Sequence, residues 1–205
     1  MNRHLVIFAK APRLGRVKSR LSADVGAVAA WRFQRDNLSR IVRRLRYDAR
    51  WTCWLAVTGE PARWPVGLRR FRQGAGDLGQ RMQNVMETLP HGPVVLVGAD
   101  IPGIQPGHIE RAFRKLGSHD VVFGPASDGG YWLVGFRRRP VTPTPFTAVR
   151  WSSEHALADT VANLDHRRRV AYCDELSDVD DGKALADYVS SNRGIISTKL
   201  QGMNR

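Results

Sequence analysis

The 205-residue sequence carries 32 lysines and arginines against 19 aspartates and glutamates, a formal net charge of +13, and two cysteines. This length suits one α/β domain, and no apolar run is long enough for a signal-peptide core or a bilayer span. The six scattered histidines and the distant Cys53 and Cys173 fit neither a zinc motif nor a disulfide framework. We therefore expect a cytoplasmic protein with buried, unpaired thiols.

The positive charge favours polyanionic ligands, and nucleic acid is one of them. The charge comes mostly from arginines dispersed along the chain, and no nucleic-acid-binding motif accompanies them. Solvated helix faces and phosphate-binding loops explain such a composition equally well. Nucleic-acid binding therefore stands here as the lesser hypothesis.

The chain opens with an apolar run that predicts a strand from His4 to Phe8. The loop that follows contains proline, glycine and the cations Lys10 and Lys18, so backbone N–H groups and point charges are available to phosphates. It lacks the Gly-Lys-Ser/Thr ending of a P-loop, so phosphate binding here must be of another kind.

The next segments predict a helix through Leu38 to Leu45 and a strand from Trp51 to Val57. The segment Gly74–Gly79 then matches the spacing of the dinucleotide-binding fingerprint and precedes a helical pattern. We reject a dinucleotide site, because residues 68–73 are too charged for a buried first strand and the opening strand lacks the required glycines.

The run from Pro93 to Pro102 is apolar and β-branched and ends in a lone carboxylate, Asp100. It predicts a strand buried on both faces of a parallel sheet, whose carboxyl end opens on the ligand crevice. The alternative is that Asp100 caps a turn before the next helix, and the spacing alone leaves both interpretations open.

The remaining chain keeps the α/β alternation. The predicted elements are a helix opened by Pro106, a strand Asp120–Gly124, a strand after Tyr131, a helix capped by Ser152 or Ser153, and a strand Val170–Tyr172. Between the two middle strands, Asp128-Gly129-Gly130 is typical of a hairpin turn. The aromatic and glycine residues around it also suit a loop that faces a substrate.

Several motifs occur in a fixed order along the chain. They are Phe8-Ala9-Lys10-Ala11-Pro12 with Gly15 and Lys18-Ser19-Arg20-Leu21, then Gly76-Asp77-Leu78-Gly79 with Arg81-Met82, Gly98-Ala99-Asp100-Ile101-Pro102, Gly124-Pro125 with Asp128-Gly129-Gly130-Tyr131, and Asp178-Val179-Asp180. Together they resemble a bacterial family of small GT-A-type transferases, usually labelled glycosyltransferases and associated with arsenosugar or radical-SAM gene neighbourhoods. The resemblance spans roughly Leu5 to Leu185 and extends more distantly to phospholactate guanylyltransferases and molybdenum-cofactor nucleotidyltransferases.

Two positions depart from the family pattern. The usual Lys-Thr-Arg-Leu appears as Lys18-Ser19-Arg20-Leu21, which keeps a hydroxyl, and the usual closing Asp-Val-Asp-Thr ends in Asp181. The resemblance implies a nucleotide-diphospho-sugar transferase fold, a single-domain three-layer α/β/α sandwich with a mostly parallel sheet. We expect this domain to occupy residues 1–190, with a polar tail at 191–205.

The resemblance also implies the site residues. Asp100, Asp178 and Asp180 would bind Mg²⁺ or Mn²⁺, and Asp100 and Asp128 would be catalytic, with Asp128 facing the acceptor. The implied nucleotide-binding residues are Ala9, Lys10, Pro12, Gly15, Lys18, Gln73, Asp77, Gly79 and Arg81.

The implied activity is glycosyl transfer from a nucleotide-diphospho-sugar donor to a small-molecule acceptor, with no membrane partner. The loop at Asp100 lacks the second acidic residue that many GT-A glycosyltransferases place there, which favours the alternative, nucleotidyl transfer from an NTP to a small phosphorylated acceptor. A third alternative is a non-catalytic nucleotide or nucleic-acid binder, for which the carboxylates would be unnecessary.

Overall fold

The computed structural model describes residues 2–14, 18–59, 63–139 and 141–190. Gly15 and the predicted tail at 191–205 lie outside these ranges. The described residues divide into two compact units, one within Met1–Ala11 and Asn37–Ser177 and the other within Pro12–Asp36 and Asp178–Arg205. The predicted domain boundaries stay a prediction, and each unit is described by itself.

A seven-stranded sheet forms the centre of the larger unit, in the order β3-β2-β1-β4-β6-β5-β7. The strands are β1 His4–Lys10, β2 Thr52–Thr58, β3 Arg69–Arg72, β4 Val94–Gly98, β5 Val121–Pro125, β6 Tyr131–Phe136 and β7 Val170–Tyr172. Strands β1 to β4 pair in parallel, β6 is antiparallel to both β4 and β5, and β7 is parallel to β5.

Helices cover both faces of this sheet. The helices are α1 Ser19–Val25, α2 Ala27–Leu45, α3 Leu78–Thr88, α4 Pro106–Lys115 and α5 Ala156–Ala162, and residues 182–190 are also helical. In the larger unit, α4 and the part of α2 from Leu38 onward pack on one face, while α3 and α5 pack on the other. The predicted three-layer α/β/α sandwich with a mostly parallel sheet is therefore confirmed.

The apolar runs fold as their patterns predict. Val94 to Val97 of β4 are all buried, and β1 is buried from His4 to Ile7, as expected for strands covered on both faces. Strand β3 differs, because Arg69, Arg70 and Arg72 are exposed. Residues 68–73 are too charged for a buried strand, as the sequence indicated, but they can form β3 because it is an edge strand, where charged side chains are common.

The smaller unit contains α1 and the first part of α2. Leu21, Ala30 and Val179 are buried there, and Trp31 Nε1 donates a hydrogen bond to the carbonyl oxygen of Pro12 over 2.9 Å. The amide of Gly182 donates to Asp24 Oδ2 over 2.7 Å, which ties the second segment of this unit to α1. None of the helices in the described ranges is long and apolar enough to cross a bilayer.

Candidate functional site

The carboxyl ends of β1 to β4 open on the same edge of the sheet. Strands β2 and β3 lie on one side of β1, and β4 lies on the other. The direction in which successive strands are added to the sheet therefore reverses between β1 and β4, although the two strands are parallel. Ligands of open α/β sheets bind at such a switch point. Lys10 ends β1 here, and Asp100 follows β4 by two residues, with the amide of Ala99 bonded to the carbonyl oxygen of Phe8.

The loop that carries Asp100 is fixed on both sides. Ile101 and Ile104 are buried in the core, while Asp100 itself is partly exposed. Arg44 Nη1 donates to the carbonyl oxygen of Pro102 over 2.8 Å, and Asn37 Nδ2 donates to that of Ala99 over 2.9 Å. Helix α2 therefore fixes the backbone on both sides of Asp100.

Asp100 is not the N-cap of the next helix. The N-cap of α4 is Gln105, whose amide N–H donates to His108 Nδ1 over 3.1 Å in a capping box. Asp100 lies five residues earlier, in the turn that directly follows β4. The two predicted interpretations, a carboxylate that caps this turn and a carboxylate that faces the ligand crevice, both stay predictions.

A cavity of about 540 Å³ lies at the carboxyl ends of β2 and β3. It is lined by Val57, Thr58, Gly59, Arg72, Gln73, Gly74 and Ala75. Lys10 lies opposite Thr58 in the sheet, and its Cγ is 4.0 Å from the position that a Cβ on Gly59 would take. Two cations, Lys10 and Arg72, therefore border a cavity in the size range of small-molecule sites.

Gln73 is buried, and the protein satisfies its side chain. Its Nε2 donates to the carbonyl oxygens of Ala9 and Ala56, each over 3.1 Å, and its Oε1 accepts from Arg81 Nη1 over 3.0 Å. Arg81 Nε also donates to the carbonyl oxygen of Asp77. In this structure Gln73 orients Arg81, and a direct contact between Gln73 and a nucleotide stays a prediction.

Asp77 and Gly79, two further predicted nucleotide-binding residues, shape the start of α3. Asp77 accepts from the amide of Gln80 over 2.8 Å and its own amide donates to Gln80 Oε1, which forms a capping box. A Cβ on Gly79 would lie 2.7 Å from the Cβ and the carbonyl oxygen of Phe146. Only a glycine therefore lets α3 approach Phe146 this closely.

Asp128 lies in the hairpin that joins β5 to β6. Its Oδ1 accepts from the amide of Gly130 over 2.9 Å, and Gly129 has a φ of 80°, which a glycine adopts easily. Asp128 is exposed, and the end of β5 lies at the same edge as the end of β4 because both strands are antiparallel to β6. The hairpin explains the glycine pair, while the role of Asp128 towards an acceptor stays a prediction.

The smaller unit holds an ion pair between two of the predicted site residues. Lys18 Nζ lies 2.6 Å from Asp180 Oδ1, and the Lys18 side chain is only 5% exposed against 52% for Asp180. Burial raises the pKa of the Asp180 carboxyl. The hydrogen bonds with Lys18 and Asp178 and the charges of Lys18 and Arg20 lower the pKa and together outweigh burial, so the pKa of Asp180 lies below its ordinary value.

Within the described ranges, no group of three or more His, Cys, Asp or Glu side chains is arranged to hold a metal ion. Magnesium sites in phosphate-transferring enzymes commonly use one or two carboxylates and complete their coordination with water and substrate phosphates. In chemical type, the partly exposed Asp100 of the larger unit suits such a site, and so does the pair Asp178 and Asp180 of the smaller unit.

Residues 33–153 match a family described as "Uncharacterized protein conserved in bacteria (DUF2064)". The chain belongs to this family. The search of curated proteins found no match.

Solved structures with the same fold include three informative ones. A protein of Desulfovibrio desulfuricans, assigned as a nucleotide-diphospho-sugar transferase, is 28% identical with a TM-score of 0.81, over 88% of this chain and 84% of that one. A CMP-2-keto-3-deoxy-manno-octonic acid synthetase complexed with CTP is 12% identical with a TM-score of 0.56, over 97% of this chain and 100% of that one. Glucosyl-3-phosphoglycerate synthase of Mycobacterium tuberculosis, in complex with Mn²⁺, UDP-glucose and phosphoglyceric acid, is 8% identical with a TM-score of 0.58, over 86% and 70%.

These similarities confirm the nucleotide-diphospho-sugar transferase fold and the assignment to an enzyme of the transferase class. The two more distant structures share the fold alone. One is named for a nucleotidyl transfer and the other for a glycosyl transfer, so this fold serves both reactions.

The sequence patterns did not predict the roles of Asn37 and Arg44, whose side chains bond to the backbone on either side of Asp100. A signal for one of them is present, because Asn37 lies four and eight residues before the buried Ile41 and Leu45, on the apolar face of α2. A buried polar side chain on such a face needs a partner, and here the partner is the backbone that precedes Asp100.

Proposed function

We propose that this protein is a metal-dependent glycosyltransferase that moves a sugar from a nucleotide-diphospho-sugar to a small acceptor. One observation carries the proposal. At the switch point of the sheet, a cation-bordered cavity beyond β2 and β3 lies on one side of β4, and a clamped carboxylate, Asp100, follows β4 itself. This is the arrangement that a diphosphate and its counter-ion require.

Three cations are proposed to take part in binding the donor. Lys10 and Arg72 border the large cavity and are proposed to bind phosphate oxygens through charge-assisted hydrogen bonds. Gln73 holds the Arg81 guanidinium nearby, so that this cation is oriented before the donor arrives. Ala9 lies at the same end of β1 and is proposed to lie next to the donor, with its carbonyl oxygen engaged by Gln73.

Asp100 is proposed as a residue that would hold Mg²⁺ or Mn²⁺. A divalent ion bound there would neutralise the negative charge that develops on the leaving diphosphate. Asp178 and Asp180 of the smaller unit are proposed as further carboxylate ligands of a divalent ion, and Pro12 and Lys18 as phosphate-loop residues. The manganese complex of the Mycobacterium tuberculosis enzyme supports a divalent cofactor for this fold.

Asp128 is proposed to act on the acceptor. It lies beyond β5, which is separated from β4 by β6, whereas the large cavity lies beyond β2 and β3 on the opposite side. A carboxylate in this position can accept a hydrogen bond from the hydroxyl that attacks the donor. Oδ2 is the oxygen that we propose for this contact, since Oδ1 closes the hairpin turn.

Nucleotidyl transfer is the second candidate, and one feature favours it. The residue before Asp100 is Ala99, which is 7% exposed and has its amide bonded to Phe8. The second acidic residue that many GT-A glycosyltransferases place beside this position is therefore missing. In this reaction the donor is an NTP and the leaving group is pyrophosphate.

Product analysis separates the two reactions. Purified protein with Mg²⁺ or Mn²⁺ is incubated with panels of nucleotide sugars and NTPs and with candidate small acceptors. Release of a nucleoside diphosphate supports glycosyl transfer, and release of pyrophosphate with retention of the nucleoside monophosphate on the product supports nucleotidyl transfer. A protein that binds nucleotides but releases neither would contradict both.

The metal role of Asp100 is tested by titration calorimetry on Asp100→Asn. We expect a folded variant that loses the metal-dependent part of its nucleotide affinity, because the neutral amide cannot compensate the charge of a divalent ion. Glu87→Gln, an exposed carboxylate near the end of α3, is the matched control and should bind as wild type does. Unchanged metal-dependent affinity in folded Asp100→Asn would remove Asp100 from the site.

A further inference from the structure

Strand β7, Val170–Tyr172, is one edge of the sheet, and part of its backbone faces away from every other strand. On its inner side, the carbonyl oxygen of Arg169 and the amide of Cys173 both bond to β5. Because the backbone of a strand alternates with a period of two, the N–H and C=O groups of Val170 and Tyr172 point away from β5. No residue in the described ranges makes a hydrogen bond to these outward groups.

The same edge exposes an aromatic ring. Tyr172 is 47% exposed, although it lies in the sheet. Its ring stacks on that of Phe123 in β5, with the ring centroids 6.3 Å apart and the ring planes 30° apart. Val170 lies on the same face, two residues earlier, and packs against the cluster that contains Phe123. A further strand at this edge would extend this apolar surface and cover the ring of Tyr172.

Charge is distributed unevenly along this edge. Three cationic residues directly precede β7 and two acidic residues follow it closely, namely Arg167, Arg168, Arg169, Asp174 and Glu175. Arg169 and Glu175 are exposed, and neither side chain makes a hydrogen bond or an ion pair with another described residue. Asp174 differs, because it pairs with Arg111 of α4. The edge is therefore positive at its amino end and negative at its carboxyl end.

This charge pattern fits a second copy of the same chain. When two identical strands pair antiparallel about a two-fold axis, the amino end of each lies beside the carboxyl end of the other. Arg169 of each copy would then lie near Glu175 of the other copy. A nucleic acid or a wholly acidic protein segment would instead be repelled at the acidic end of the edge.

The opposite edge of the sheet lacks this self-complementarity. Strand β3 presents three exposed cations and contains no acidic residue; the cations are Arg69, Arg70 and Arg72. Two copies that met through β3 would bring like charges together, which opposes pairing. In a chain of net charge +13, self-association needs a surface where opposite charges meet, and of the two edge strands only β7 provides one.

We propose that the protein forms a homodimer in which two β7 strands pair antiparallel, with Ala171 at the two-fold axis. In this register Val170 of each copy lies opposite Tyr172 of the other, and the two residues exchange their outward N–H and C=O groups. A β-branched residue beside an aromatic one is a favourable cross-strand pair. The two sheets then form one continuous sheet, and the open edge is covered. This inference does not depend on the reaction proposed above.

Sedimentation velocity on the full chain measures the dimer. A strand pairing this short belongs with weak, transient interfaces, so the chain concentration is varied over about 1–300 µM. We expect monomer at the low end of this range and dimer at the high end. Tyr172→Pro should raise the dimer Kd at least about tenfold, because proline removes an outward N–H that the monomer does not use. Tyr172→Thr is the matched control. It also loses the ring but keeps the N–H, so it should dimerise more tightly than the proline variant.

Charge reversal tests the chemistry of the partner. Arg169→Glu and Glu175→Arg each bring like charges together and should raise the Kd about threefold to tenfold. The double variant restores opposite charges and should return the Kd to the wild-type value. Glu154→Arg reverses an exposed carboxylate that lies in the loop before α5. It changes the net charge as Glu175→Arg does and should leave the Kd unchanged.

Three results would overturn the proposal. They are a chain that stays monomeric over the whole concentration range, a dimer that none of the β7 variants weakens, and a double variant as weak as the single ones. Recovery in the double variant supports direct pairing, because a second substitution does not repair a loss of local structure. Thermal melting of each variant at low concentration checks the fold of the monomer. If Tyr172→Pro unfolds, the charge-reversal variants decide the question alone.

Discussion

Asn37 Nδ2 donates a hydrogen bond to the carbonyl oxygen of Ala99 over 2.9 Å, across 62 positions of sequence. The bond joins the middle of α2 to the residue just before Asp100, and both partners are buried. A side chain that makes no contact with a ligand can therefore determine where the Asp100 carboxylate lies. Such supporting residues are often required for the geometry of a site.

Asn37→Leu should lower both stability and metal-dependent nucleotide affinity. The carbonyl oxygen of Ala99 loses its side-chain partner in the interior, which should cost about 1–3 kcal/mol in the free energy of unfolding. The affinity measured with Mg²⁺ should fall by about tenfold, because a displaced carboxylate coordinates poorly. Urea denaturation and titration calorimetry measure the two effects.

Trp51→Phe is the control for this variant. Trp51 Nε1 donates to the carbonyl oxygen of Leu45, at the end of the same helix and away from Asp100. Its loss should reduce stability to a similar degree and leave the metal-dependent affinity unchanged. If both variants changed the affinity equally, the effect would be one of stability, and the positioning role of Asn37 would be wrong.

Two glycines in equivalent helix positions should respond in opposite directions to alanine. Gly79 and Gly107 are each the second residue of a helix, α3 and α4. A Cβ on Gly79 would meet Phe146 at 2.7 Å and Trp151 Cζ2 at 2.8 Å, whereas a Cβ on Gly107 would meet only Arg111 Nη1, at 3.5 Å. The first substitution overpacks a core, and the second improves helix propensity.

We therefore expect Gly79→Ala to lower the free energy of unfolding by about 1–3 kcal/mol. Gly107→Ala should leave it unchanged or raise it by up to about 1 kcal/mol. Chemical denaturation of the two variants beside wild type measures both changes. A neutral Gly79→Ala would show that Phe146 moves easily to make room for a methyl group, and the overpacking expected from the 2.7 Å approach would be wrong.

The strongly basic composition raises the question of how tightly the protein binds nucleic acid. If the charge of +13 serves phosphate binding and solubility, binding to random duplex DNA should be weak and should fade as salt rises towards physiological concentration. A mobility-shift assay across a salt series measures this. Tight, saturable binding at physiological salt would favour the nucleic-acid hypothesis over the enzyme.

Much of the sheet was predictable because its central strands are defined by local pattern. The β-branched run predicted strand β4, and Pro106 predicted the start of helix α4, and the structure has both elements at these places. Strand β3 was missed because its arginines are explained only by its edge position, which depends on the whole sheet. Helix α1 and the first part of α2 were missed as well.

The candidate site was also predictable only where its residues have a local sequence signal. Asp100 was found because a lone carboxylate after a buried strand is a local feature of the sequence. The link between Gln73 and Arg81, and the clamp of Asn37 on Ala99, join residues of different elements and cannot be read from spacing.

Lys18 is an unusual lysine for a loop. Its side chain is 5% exposed and lies 2.6 Å from Asp180, and its φ of 45° is uncommon for a residue with a Cβ. An ordinary loop lysine is solvated, and its replacement by alanine changes little. A buried lysine with a carboxylate partner is instead held in one place, where a phosphate can find it already oriented.

If Lys18 binds phosphate, Lys18→Ala should weaken the binding of an NTP or a nucleotide sugar about tenfold to a hundredfold, because a charge-assisted contact is lost. The bare nucleoside, which carries no phosphate, should bind the variant and the wild type equally. Lys183→Ala removes an exposed lysine from the same unit and serves as the control for net charge. Because the variant also loses the ion pair with Asp180, unfolding is measured in parallel, and the nucleoside comparison separates a binding effect from a general loss of structure. Equal losses for nucleoside and nucleotide would show that Lys18 does not contact phosphate, and its pairing with Asp180 would then be purely structural.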